Sequence, residues 1–148
     1  STAFYLASEL MTKKNVTVVT NNIEILSLLS ASKIRTICSG GYLSRENRSC
    51  LVGADAHAVF GKIYADIIFF STKSISNDGI ISDCDPEEVA VRNCMLSNAS
   101  KKIYLCDSEK FYSRSPYLQY NISDVDCFVS ESDKAKEFLA LNRNMQLL

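Results

Sequence analysis

The sequence predicts a three-layer α/β sandwich on a mostly parallel sheet, and three observations predict it. Apolar, branched runs at residues 16–19, 34–38, 67–70 and 103–106 have the length of buried strands. Segments of helical period separate them at about 10 to 15 residues, the spacing of parallel strands joined by right-handed crossovers. Each run also ends in polar residues: Thr20-Asn21, Ser39-Gly40-Gly41, Ser71-Thr72-Lys73 and Asp107-Ser108-Glu109-Lys110. Ligands of open parallel sheets bind outside the carboxyl ends of the strands, so four polar exits point to one shared pocket. Hydroxyls, amides, glycines and a lysine suit a polyol carrying an anionic group.

Ala3, Leu6, Ala7 and Leu10 fall at i, i+3, i+4 and i+7, which places a helix over residues 2–12. A strand at 15–20 follows, and Asn21 or Asn22 caps the next helix, whose apolar positions are Ile25, Leu28 and Leu29. A strand at 34–39 is broken by Gly40-Gly41, and residues 42–49 read as a polar connection carrying Arg45 and Arg48. A helix is expected at 53–62 and the most hydrophobic strand at 65–71, opening into a Ser/Asn/Asp/Gly-rich loop at 73–84. Asp85-Pro86-Glu87-Glu88 has the form of a helix start: a capping Asp, Pro at the first position and Glu at the third. The stripe expected on that helix is Val91, Cys94, Met95 and Ala99. Strands at 102–106, 116–120 and 126–129, a helix at 133–141 and a last strand at 145–148 complete the order.

At 148 residues and 47% hydrophobic content the chain reads as one domain with an adequate core. Sixteen basic residues balance seventeen acidic ones without a basic cluster, which excludes the electrostatic footprint of a nucleic-acid-binding surface. No run reaches the roughly 18 apolar residues of a membrane span, and no signal-peptide pattern opens the chain, so it reads as cytoplasmic. The six cysteines form no C-x-x-C pair and the histidine is single, so no metal is expected, and with neither a G-x-G-x-x-G nor a P-loop no cofactor is expected either. Cys38, Cys106 and Cys127 lie on strands as small core residues.

Taken in order, Ser1-Thr2 opening a helix, Thr20-Asn21, Gly40-Gly41, Leu51-Val52-Gly53, Gly79 to Glu88 leading into Val91-Arg92, and Asp107-Ser108-Glu109-Lys110-Phe111 resemble the C-terminal effector-sensing domain of the DeoR family of bacterial transcription regulators. The resemblance implies a fold related to ribose-5-phosphate isomerase, glucosamine-6-phosphate deaminase and the CoA transferases. It implies a phosphorylated sugar as effector, and contact with DNA only through an N-terminal winged helix-turn-helix outside this chain. That longer protein would supply the strand expected ahead of the first helix, and would be a homodimer or homotetramer. The chain departs from the family in lacking the Asp/Gly/Ser-rich loop before Ser1, and in carrying Ser74 where the family often has glycine.

The residues expected at the effector are Ser1, Thr2, Thr20, Asn21, Gly40, Gly41, Arg45, Asp107 and Lys110. Ser1 and Thr2 would offer hydroxyls and N–H groups to an anion at a helix start, or be an ordinary cap. Thr20-Asn21 has the same two readings, and Gly40-Gly41 is either a turn or a close backbone approach to a ligand. Lys110 either meets the phosphate or only pairs with Asp107; Arg45 either meets it bidentately or is solvated. The alternative function is an active sugar-phosphate isomerase or deaminase. Such a reaction needs a base beside the carbonyl, and the stretch comparable to the isomerase's carboxylate cluster reads Ser71-Thr72-Lys73-Ser74-Ile75-Ser76, so a non-catalytic sensor is expected.

Overall fold

The computed structural model describes residues 2–148; Ser1 lies outside the described residues. The chain runs α1 (Thr2–Leu10), β1 (Thr17–Thr20), α2 (Ile23–Ser30), β2 (Arg35–Cys38), β3 (Tyr42–Leu43), β4 (Leu51–Val52), α3 (Ala54–Phe60) and β5 (Ala65–Phe70). It continues through β6 (Ser74–Ile75), β7 (Ile80–Asp83), α4 (Pro86–Ser97), β8 (Ala99–Leu105), β9 (Tyr117–Asn121) and β10 (Cys127–Val129) to β11 (Gln146–Leu147). Short 3-10 turns at Ile122–Asp124 and Asp133–Ala140 flank β10, the second in place of the expected helix.

The parallel strands form two sheets, β1-β2 and β11-β10-β8-β5. Their registers, Thr20↔Cys38 in one and Phe70↔Tyr104 and Val129↔Leu105 in the other, bring the carboxyl ends of paired strands level. Side chains alternate across a parallel sheet, and both faces need cover. One face buries Ile68, Phe70, Tyr104 and Phe128 with Leu96 of α4 and Phe138 of the second 3-10 turn. The opposite face sets Ile103, Leu105 and Cys127 against Leu6 of α1. The same layering holds the smaller sheet: Val18 packs with α1 and α2, while Val19 packs with Val52, Ala56, Phe60 and Val91. The result is the expected three-layer sandwich.

The expected loop at 73–84 is instead a hairpin. β6 pairs antiparallel with β7, and β7 with β9. Its turn closes through Gly79 N–H donating to Ser76 O at 2.8 Å, with Gly79 at φ +82°. The polar connection at 42–49 likewise begins a second antiparallel hairpin, β3 with β4. Ala99 is the first residue of β8 and not part of the helical stripe; Val89, Val91 and Leu96 are the buried residues of α4. The helix stops there because Asn98 donates through Nδ2 to Phe60 O and Cys94 O.

Candidate functional site

Thr20 is buried at the end of β1, and its Oγ1 accepts from Asn22 N at 3.0 Å. Asn22, not Asn21, caps α2: its Oδ1 accepts from Glu24 N and Ile25 N, both at 3.0 Å. That releases Asn21 for a different task. Its side-chain Nδ2 donates to Leu51 O at 3.0 Å while its backbone carbonyl accepts from Leu51 N at 2.7 Å, so its side chain and its backbone both join the end of β1 to β4.

Gly40 and Gly41 follow β2 with φ of +74° and +97°. A Cβ on Gly41 would lie 2.2 Å from Val52 O, so the close approach it permits is to the neighbouring strand. Ser39 N donates to Thr20 O, which sets the Gly-Gly turn beside the end of β1. Arg45 sits exposed in the β3–β4 connection. That connection is tied to the start of α4: Ser44 Oγ donates to Asp85 Oδ2 at 2.6 Å in a buried contact, and Tyr42 OH donates to Glu87. Asp85 caps α4 as expected, accepting from Glu87 N at 2.8 Å. Thr2 opens α1 and is half-buried.

The second cluster lies on the larger sheet. Lys110 Nζ is 2.8 Å from Asp107 Oδ2 and also donates to Ser71 Oγ at 2.8 Å. Ser71 Oγ in turn donates to Leu105 O at 2.7 Å. The Lys110 side chain keeps 18% exposure and that of Asp107 40%. Partial burial pushes the Asp107 carboxyl up, but the Lys110 hydrogen bond and charge outweigh it and leave the group below the usual carboxylate range. Beneath this pair, Thr72 Oγ1 and the buried Tyr104 OH share a hydrogen bond of 2.8 Å. Burial pushes the Cys106 thiol at the end of β8 up to about 12, which makes it an inert core group.

The site residues expected from sequence are thus sorted into two groups: Thr20, Asn21, Gly40 and Gly41 beyond β1 and β2, and Asp107 and Lys110 beyond β8. Ser71 belongs with the second group. Its signal was the polar exit Ser71-Thr72-Lys73, but nothing local indicates that its hydroxyl meets a lysine 39 residues away. A further network was also missed. Arg92 Nη1 donates to Asp83 Oδ2 at 2.9 Å and Gln119 Oε1 at 2.7 Å, and Nη2 to Glu88 Oε2 at 3.2 Å, fixing α4 to β7 and β9. Two surface grooves lie elsewhere: one of about 580 Å³ between α1 and α2, lined by Phe4 and Glu24 among others, and one of about 300 Å³ between α3 and α4, lined by His57 and by Glu87, the partner of Tyr42. Among the described residues no cluster of three or more His, Cys, Asp or Glu is arranged to hold a metal ion.

An α/β sandwich whose polar strand ends gather at the carboxyl edge has the architecture of a ligand-binding domain. The particular family is clear from comparison: the chain belongs to the DeoR C terminal sensor domain family, which matches residues 1–132. It is 30% identical over 132 residues to the HTH-type transcriptional regulator YgbI of Escherichia coli K12, covering 88% of this chain and 51% of that protein. The transcriptional repressor AccR of Agrobacterium fabrum is 28% identical over 134 residues, covering 89% and 52%. The glycerol-3-phosphate regulon repressor of E. coli K12 is 23% identical over 128 residues, covering 86% and 50%. The chain therefore spans about half the length of these relatives, and its family is one of sensor domains, not of enzymes. Among the described residues no helix is long and apolar enough to cross a membrane.

Proposed function

We propose that this chain is the effector-sensing and oligomerisation domain of a cytoplasmic transcription regulator of sugar metabolism, a repressor, and that its effector is a phosphorylated sugar. The observation that carries the effector class is Lys110. An ammonium held by Asp107 and Ser71 at a strand end keeps one donor for a ligand, and a phosphate is the acceptor that rewards a fixed cation most. A relative named for the glycerol-3-phosphate regulon supports a small phosphorylated polyol, and two relatives named repressors support the direction of regulation.

DNA contact belongs to a winged helix-turn-helix outside this chain, in keeping with relatives about twice as long. The sheets support one more strand from that longer protein. Among the described residues β1 pairs only with β2, and β5 only with β8, yet α1 on one face and α4 on the other pack against both sheets. Ile67 and Phe69, which share the α1 face of β5 by register with Ile103, remain 46% and 37% exposed. A parallel strand between β1 and β5, feeding α1, would join the sheets and bring the two clusters into one pocket at the point where the strand order reverses. Symmetric operators require paired DNA-binding units, and this domain is the natural holder of the pair as a homodimer or homotetramer.

The test is thermal. A sugar phosphate at about 100 times its Kd should add roughly 2.7 kcal/mol of stability, whereas the unphosphorylated parent sugar should add almost none. Equal shifts from the two would refute the phosphate reading.

A further inference from the structure

An ammonium has three N–H donors and no acceptor. Two of Lys110's are engaged, by Asp107 Oδ2 and Ser71 Oγ, each at 2.8 Å. Ser71 has one hydroxyl proton, and it goes to Leu105 O at 2.7 Å, so toward the lysine its oxygen can only accept. The two anchors differ in rigidity. Asp107 lies on the turn past β8 with an exposed side chain, whereas Ser71 directly follows β5, which is paired in register with β8 up to Phe70↔Tyr104. The hydroxyl's place is therefore set by the sheet, and the Lys110 backbone is itself held where its carbonyl accepts from Ile75 N at 2.9 Å. A lysine stem has four rotatable bonds, and fixing its head from two different elements leaves one defined direction for the remaining donor.

We infer that Ser71 is the positioning residue for Lys110, its hydroxyl holding the ammonium ready for an anionic ligand. This role rests on the reading of Lys110 as the anion-binding group. Because its proton is committed to Leu105 O, Ser71 contributes geometry and does not itself donate to the ligand.

The experiment compares the parent chain with Ser71→Ala and Ser71→Thr, using inorganic phosphate as the probe. Competitive acetylation without phosphate, read at each lysine by mass spectrometry with exposed Lys73 as reference, reports whether the ammonium is held. Titration by NMR reports phosphate affinity. Ser71→Ala should raise the relative acetylation of Lys110 and weaken phosphate about 2- to 12-fold, the worth of one neutral hydrogen bond. Ser71→Thr, which keeps the hydroxyl, should restore both. A merely structural serine would lower the melting temperature and leave the relative reactivity of Lys110 unchanged, and that result overturns the role. So does higher acetylation with unaltered phosphate affinity. Phosphate that fails to bind even the parent chain overturns the anion reading together with this role. That failure is distinct from a failure of Ser71 alone, which shows in the phosphate-free acetylation.

Discussion

At the ends of β1 and β2, the polar groups are engaged with the fold itself: Asn21 with Leu51, Thr20 with Asn22, and Gly41 against Val52 O. At the ends of β5 and β8, Ser71 and Asp107 instead converge on a cation that keeps a donor unused by either. Both strand ends look alike in sequence, as short polar exits from apolar runs. The difference lies in charge and in partners. An amide or a glycine can be wholly satisfied by a neighbouring backbone, whereas an ammonium with two acceptors still has one donor to satisfy. A polar strand end marks the edge where ligands of such sheets bind, and on the proposed reading the donor that Ser71 and Asp107 leave over is what meets the ligand.

The largest effect expected from this contrast is on stability, in the first region. Gly41→Ala puts a Cβ 2.2 Å from Val52 O at a φ of +97°. Strain of that kind costs about 1–3 kcal/mol, and the collision with backbone adds to it. Urea denaturation should show the loss, with little change in the acetylation of Lys110. A variant of parental stability would break the claim that this end of the sheet is built for packing.

Lys110→Ala should do the reverse. Its ion pair is partly exposed and worth about 0 to 1 kcal/mol to folding. A charge-assisted hydrogen bond to a phosphate is worth about 1.5 to 3 kcal/mol, so affinity for a sugar phosphate should fall roughly 10- to 150-fold. Calorimetric titration checks this, and an unchanged Kd would remove Lys110 from the ligand site. In a longer protein carrying the DNA-binding unit, the same substitution should leave operator binding intact but unresponsive to the effector, since a ligand acts only through its differential affinity for two states.

What the sequence made legible follows the range of the forces involved. Asp85-Pro86-Glu87-Glu88 announced a helix start because capping is decided within four residues. The runs that became β5 and β8 were legible because burial on both faces leaves a continuous apolar signal. Residues 73–84 were misread because Ser, Asn and Asp masked the strands. The Asp78-Gly79 pair beside Ile80 and Ile81 was the available hairpin signal. β3 and β4 pair only two residues each, and they depend on Asn21 and on the Gly41 approach to Val52, contacts no local pattern encodes. At the site, the Asp107–Lys110 spacing of three was readable as a pair. Ser71 was not readable as its partner, because parallel pairing of β5 with β8 brings it there.

The smallest effect expected is on pH dependence, and it distinguishes the two regions because only one can titrate. Thr20, Asn21, Gly40 and Gly41 carry no ionisable side chain, so their contacts are indifferent to acid. Asp107 is held below the ordinary carboxylate range by Lys110 once the opposing effect of burial is overcome. A carboxylate with a depressed folded pKa contributes stability that is present above its unfolded value, near about 4, and lost as pH falls through the folded value. Melting temperatures of the parent and Asp107→Asn should therefore differ by a constant amount from neutral pH down to about 5, and converge as the pH falls below about 4. The Glu131 carboxyl is likewise held low, since its carboxylate accepts from Ser108 N at 2.7 Å. It is present in both proteins, but the Asp107 charge also opposes its shift, so the difference between them reports Asp107 together with that small coupling. Solvent at the exposed side chain keeps the shift small. A gap that persisted unchanged below pH 3 would mean that the Asp107 charge does not matter, leaving Ser71 as the only anchor that holds Lys110.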